Sequence, residues 1–147
     1  VNRKVALILV LAVLIGIVAI ILARSNSEDE ISDILDLRAR AIGSKDIKLL
    51  DKSLATNYKK PLEIMREHFN FWDAIEMRIL DRSIVLESPD RAIVFQKYQF
   101  RVKSGDKWEV LEPAVEKLVL VREGRFFKKW KIAGGLLPED QSTDKQN

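Results

Sequence analysis

The sequence predicts an α+β fold: an N-terminal transmembrane helix, then three helices packed on a curved four-stranded antiparallel sheet. Three observations predict it. Val5 to Ala23 is a run of nineteen residues with no charged or hydrogen-bonding side chain, and as a helix rising 1.5 Å per residue it covers roughly 28 Å, close to the ~30 Å hydrocarbon thickness of a bilayer. Between Ile31 and Phe69 apolar residues recur at helical spacing, and from about Asp73 the period drops to two, the alternation of half-buried strands. Turn-forming residues stand at Ser88-Pro89-Asp90, Ser104-Gly105-Asp106 and Glu123-Gly124, where the chain would reverse between strands.

The apolar run comes first. A secretory signal has a shorter apolar core and ends in a small-x-small site, whereas this run is longer and ends at Ala23 with the bulky Ile21 three positions before Arg24, so it is read as an uncleaved anchor. Arg3 and Lys4 precede it, while Arg24 and the acidic Glu28, Asp29 and Glu30 follow. Acidic residues count for little in the positive-inside rule, so the basic amino terminus is expected to stay cytoplasmic and the domain to lie on the extracytoplasmic side of the cytoplasmic (inner) membrane. Within the span, Ala12, Gly16, Ala19 and Ala23 follow the spacing i, i+4, i+7, i+11. At 100° per residue they form one seam, and small residues let a second helix approach closely. The expected partners are therefore the lipid bilayer and a membrane protein or a second copy of the chain, met through this helix.

Composition bounds the remainder. Of 25 basic residues two precede the span, leaving the rest nearly balanced against 22 acidic ones, so no concentrated basic excess points to nucleic acid. Without cysteine there are no disulfides, thiol catalysis or thiolate-held metals. The expected layout is an anchor at 1–24, a polar hinge at 25–28, one domain at 29–135 and a flexible tail at 136–147.

In the domain, Ile31, Ile34, Leu35, Ala41 and Ile42 mark the first helix, with Gly43 placed to stop it. Ser44 or Asp46 would cap a second helix through Ile47, Leu49, Leu50 and Leu54, ending near Tyr58. Pro61 suits the first turn of a third, carrying Leu62, Ile64, Met65, His68 and Phe69. Ile75, Met77 and Ile79 begin a strand that continues to Leu86 past an irregularity near Arg82 and Ser83. In the next, Val94, Gln96, Tyr98, Phe100 and Val102 share one face and Lys97, Gln99, Arg101 and Lys103 the other. A third runs from Trp108 to Val121, with Pro113 at an edge or bulge. A tight hairpin at Glu123-Gly124 leads into the fourth, with Phe126, Trp130 and Ile132 on one face.

The segment 42–58 (IGSKDIKLLDKSLATNY), the proline-led helix 61–71 and the closing EGRFFKKWKIAGG at 123–135 resemble the NTF2-like superfamily, the cone fold shared with ketosteroid isomerases and polyketide cyclases. The resemblance rests on Asp46, Leu50 and Tyr58, and on the Gly124-Arg125 turn leading to Trp130, Lys131 and Ile132. Type IV secretion assembly factors of the VirB8 family are similar in joining one N-terminal span to this fold. The resemblance implies a pocket between the helices and the concave sheet face, where enzymes of the superfamily place an Asp, His or Tyr for proton transfer; no catalytic residue is carried over.

Candidate pocket residues are Tyr58, Gln96 and Tyr98, with Trp130 on the closing strand. They would hydrogen-bond a small apolar ligand, unless the interior is filled and they satisfy one another. His68, the only histidine, has no evident orienting carboxylate and reads as a packing or surface residue rather than a general base. No spacing supports a metal site, and no cofactor is expected. Lys97, Arg101 and Lys103, with Arg125, Lys129 and Lys131, would form a basic surface for anionic lipid or an acidic partner, or simply a solvated strand face. Two functions remain open. One is a non-enzymatic interaction module acting as an accessory or assembly subunit of a membrane complex; the other is a membrane-tethered binder of, or enzyme acting on, a small apolar molecule.

Overall fold

The computed structural model describes residues 3–141, with side chains for 5–140. The side chains of Arg3 and Lys4, on which the expected orientation rests, and the tail residues 142–147 lie outside the described residues. The chain forms two units, Val1–Glu30 and Ile31–Asn147.

The first unit is helical and buries none of its apolar window within the protein. Leu7, Leu11, Val13, Ile15 and Leu22 are all exposed, and the helix is long and apolar enough to cross a membrane. The helix α1, Arg3–Gly43, takes in residues 25–28, so the expected hinge is helical. The side chains of Asn26 and Glu30 bond at i,i+4 there, as do those of Arg24 and Glu28. Such pairs support an exposed helical turn.

In the second unit α1 presents Ile31, Leu35, Arg38 and Ile42 as a buried stripe. It stops in a Schellman motif: Lys45 N donates to Ile42 O at 3.0 Å and Asp46 N to Ala41 O at 2.9 Å. The left-handed residue is Lys45, φ 54°, and not the expected Gly43. Its Nζ donates to Trp72 O at 2.6 Å, which offsets the ~1–2 kcal/mol that a side chain costs in this conformation. Asp46 then caps α2, Ile47–Ser53, accepting from Leu49 N at 2.9 Å. This helix ends earlier than expected because Leu54 and Ala55 turn to bond the sheet, Ala55 N donating to Ile132 O at 2.8 Å. Helix α3 is Lys60–Phe71, with Pro61 in its first turn.

The strands are β1 Ala74–Ser88, β2 Arg91–Ser104, β3 Lys107–Val110, β4 Ala114–Glu123 and β5 Lys129–Gly134, all antiparallel. The order is β1-β2-β4-β5, with β3 also on β2. There are thus five strands where four were expected. Pro113, which has no N–H for the ladder, splits the expected third strand. β3 then pairs with residues 101–104 of β2, and β4 with residues 91–98. Of the two register shifts between β1 and β2, at Ile79/Asp81 and Leu86/Ser88, the first lies two residues before the expected place, and its extra residue, Leu80, is exposed. Between β4 and β5 the chain makes a loop over 124–128 instead of a tight hairpin, so Arg125 and Phe126 lie outside the strand assigned to them. At the carboxyl end, Leu137 is buried and Pro138–Gln141 forms a short helix, α4, in what was expected to be flexible tail.

Candidate functional site

Helices α1–α3 cover the sheet face made by Ile75, Ala92, Val94, Gln96, Val102, Glu116, Leu118, Leu120 and Ile132, all buried. Register puts Arg82, Gln96 and Glu116 side by side on β1, β2 and β4, in the middle of this apolar surface. Arg38 of α1 meets them there. Its Nη1 and Nη2 donate to the two Glu116 oxygens at 2.6 and 3.2 Å, with both side chains less than one-tenth exposed. Gln96 Nε2 donates to Glu116 Oε1 at 2.9 Å, and Gln96 Oε1 accepts from Arg82 Nε at 2.8 Å. Arg82 continues outward to Asp36 at 2.9 Å. The network therefore runs from the surface to the core and ties one helix to three strands.

Chemically this is a closed set. A carboxylate held bidentate by a guanidinium and bonded again by an amide has three of its roughly four acceptor positions taken. Beside Arg38, Leu50, Leu54 and Met65, the cone keeps a space of about 60 Å³, room for about two waters at ~30 Å³ each. Ligand pockets run to several hundred Å³.

The four candidate pocket residues do not line one cavity. Gln96 is consumed by the network. Tyr98, half-buried, stands edge-on to Phe100 at 5.2 Å between ring centroids; burial, and then the Glu116 charge, push its phenol pKa up. Tyr58 lies toward the carboxyl end, donating to Asp140 and accepting from Leu136 N. Burial first, then that carboxylate, raise its pKa. Trp130 is core, 1% exposed, with the Arg122 guanidinium 5.0 Å from its ring centre.

A larger cleft of about 450 Å³ opens between α3 and the end of the same sheet face, where Ile75 and Val102 line it with Met65, His68, Phe71 and Leu111. Only Glu67 and His68 among its lining residues are ionisable. Among the described residues, no three His, Asp or Glu side chains converge as metal ligands.

The six candidate basic residues are dispersed. Arg101 faces Glu76 at 3.6 Å and lies over the Trp108 ring at 4.2 Å. Lys131 turns to donate to Lys52 O, and burial, then Lys59 and Lys129, lower its pKa. Lys131 aligns through Val121 with Arg91 of β2, six residues from Lys97, or roughly 20 Å along the strand. Arg125 and Lys129 stand at the far end from Arg101 and Lys103. A single basic face does not result.

Sequence reasoning missed Arg38 and Glu116. Their signals were positional: Arg38 continues the stripe of Ile31, Leu35 and Ile42, and Glu116 shares the parity of Leu118 and Leu120. Apolar Val115, Val119 and Val121 on the opposite face blurred the second.

No protein-family model matches the chain, and no curated protein sequence does. Solved structures do match. The Kfla4162 protein of Kribbella flavida superposes with a TM-score of 0.62 at 13% identity, covering 76% of this chain and 89% of that one. A protein of Shewanella frigidimarina with a provisional ketosteroid isomerase name gives 0.55 at 16% identity, covering 70% and 90%. The fold is NTF2-like; identities this low speak for the fold alone.

Proposed function

We propose that this chain, an NTF2-like domain behind one apolar N-terminal helix, is a single-pass membrane-anchored interaction module, an accessory or assembly subunit without catalysis of its own. The observation that carries the reading is that the polar groups in the middle of the cone are committed to one another. Arg38, Glu116, Gln96 and Arg82 bond one another there, and the space beside them is about 60 Å³. A shared fold does not transmit an activity, so the isomerase name of one structural neighbour carries no reaction here.

In this reading the basic Arg3 and Lys4 keep the amino terminus cytoplasmic and place the domain on the extracytoplasmic side of the inner membrane. The seam Ala12, Gly16, Ala19 and Ala23 docks a second transmembrane helix, since small residues let two backbones approach closely in a bilayer. The cleft of about 450 Å³ supports the second reading, a binder of a small apolar molecule, since its size and apolar lining suit one. Purification of the full chain in mild detergent separates the two. A stoichiometric membrane protein partner, with no small molecule in the organic extract by mass spectrometry, is expected. A stoichiometric small molecule without a protein partner overturns the interaction-module reading.

A further inference from the structure

The loop between β4 and β5 reads Gly124-Arg125-Phe126-Phe127-Lys128, followed by Lys129. Phe126 and Phe127 are 87% and 86% exposed. Hairpin loops are ordinarily built from Gly, Asn, Asp, Ser and Pro, so two adjacent bare phenyl rings at a loop tip are chemically out of place in water. The loop is nevertheless a built structure. Gly124 holds φ 134°, and a Cβ there would meet the Phe127 carbonyl, so the backbone folds back tightly beneath the rings. Lys128 Nζ reaches Asp90 at 3.1 Å and Arg122 N donates to Asp90 O at 3.0 Å, fastening the loop to the β1–β2 turn.

The same end of the domain receives the chain from the span. Within the domain, residues 31–43 of α1 run antiparallel to β1: Ile42 clusters with Ile75 and Val102, whereas Ser32 and Asp36 meet Arg82 further along the strand. Ile31 joins the cluster that contains Leu86, Ala92 and Leu120, the rows next to the two fastened turns. Seven residues lie between Ala23, where the apolar run ends, and Ile31, so eight steps join them. Their reach is about 12 Å as helix and at most ~28 Å extended. Ile31, which shares a cluster with the rows next to the loop, is therefore tied by a short stretch of chain to the end of the apolar run.

We propose that this loop is a second membrane contact. Phe126 and Phe127 enter the boundary between headgroups and acyl chains of an anionic leaflet, and Arg125, Lys128 and Lys129 lie among the phosphates. Apolar rings flanked by basic side chains are the composition that seats peptides at this boundary, ~5–10 Å deep, and cations near an anionic surface add an attraction that salt screens. The inference rests on the span being the anchor proposed above; it does not need the interaction partner.

The chain has no cysteine, so one probe site can be introduced cleanly. The full chain is placed in nanodiscs containing phosphatidylglycerol and phosphatidylcholine, with an environment-sensitive fluorophore on Phe126→Cys and, as reference, on Ser104→Cys at the opposite end of β2. The probe at 126 is expected to be quenched by shallow spin-labelled lipid and to be at least about threefold less accessible to aqueous iodide than the probe at 104, as burial at that depth requires. Pure phosphatidylcholine, or 1 M salt with its ~3 Å screening length, should weaken the protection. Equal iodide access at both sites in anionic nanodiscs overturns the proposal, leaving the loop to a protein partner. Protection that is identical in neutral lipid overturns the role of the basic residues. If the chain fails to co-elute with the nanodisc, the anchor reading itself fails, a result distinct from either. Phe127→Ser, an exposed change that leaves the core untouched, should lower the protection at 126.

Discussion

Replacing Glu116 by alanine tests whether the polar groups of the cone are committed as described. The carboxylate binds Arg38 through both oxygens and Gln96 through one, with both charged side chains less than one-tenth exposed. Its removal leaves a buried guanidinium without its counter-ion, a loss of ~3–5 kcal/mol, and an amide short of one acceptor, ~1 kcal/mol more. Against a total stability of ~5–15 kcal/mol for a domain, the ~4–6 kcal/mol sum removes about a quarter or more of what holds the fold. The midpoint of thermal unfolding should fall by ~16–24 °C, at ~4 °C per kcal/mol for a domain of this size. Urea unfolding of the full chain in detergent, followed by tryptophan fluorescence, reads the effect in the correct unit, because Trp72, Trp108 and Trp130 all lie beyond Ile31. The paired change Arg38→Met with Glu116→Leu removes both charges and keeps volume. It should return stability to within about 1–2 kcal/mol of the parent, since apolar replacement of a buried pair is often neutral or better. If Glu116→Ala costs under ~1 kcal/mol, the pair is solvated and the polar groups of the cone are not committed to one another.

Other outcomes follow from residues outside the network. Both tyrosines have phenol pKa values raised chiefly by burial, with Asp140 adding to Tyr58 and Glu116 to Tyr98. The folded state then keeps protons that the unfolded chain loses above pH ~10, so this contribution is complete below that pH and falls away as pH rises through it. Tyrosinate absorption should appear only as the domain unfolds; a tyrosinate midpoint near 10 with tryptophan fluorescence still native refutes it. A side chain at Gly16 would meet nothing within 4 Å in the chain itself. Gly16→Ile should therefore leave insertion intact and abolish crosslinking to the partner helix, and unchanged crosslinking reduces the span to a tether. For topology, Ser142→Cys in intact cells should react with a membrane-impermeant thiol reagent, whereas labelling only after lysis puts the domain in the cytoplasm.

The apolar run, the switch from helical spacing to alternation near Asp73, and the Asp46 cap were legible because each depends on residues a few positions apart. Hydrophobic length, side-chain parity and capping geometry are local quantities. The inward parity of Gln96 and Tyr98 was likewise readable from their strand alone. Their surroundings were not. Whether an inward polar group meets a ligand or another side chain depends on Arg38 and Glu116, separated by 78 positions in the chain and brought together only when α1 crosses the β2–β4 register. The same holds for smaller features. Pro113 announced a break, but only the second edge of β2 decided that the pieces on either side would both pair there. Gly43 looked like the helix stop, and Lys45 took the left-handed position because Trp72 offered its carbonyl. Phe126 was expected on the face of Trp130 and Ile132, yet it sits with Phe127 on a loop. The Asp90 turn fastens the chain there, with Lys128 bound to its carboxylate and the neighbouring Arg122 to its carbonyl, and that contact joins residues more than thirty positions apart. Local patterning determined the elements and the faces they bury. Long-range pairing decided the energetics of what those faces enclose, because a buried polar group is stable only with a partner of the right geometry, and the partner comes from another part of the chain.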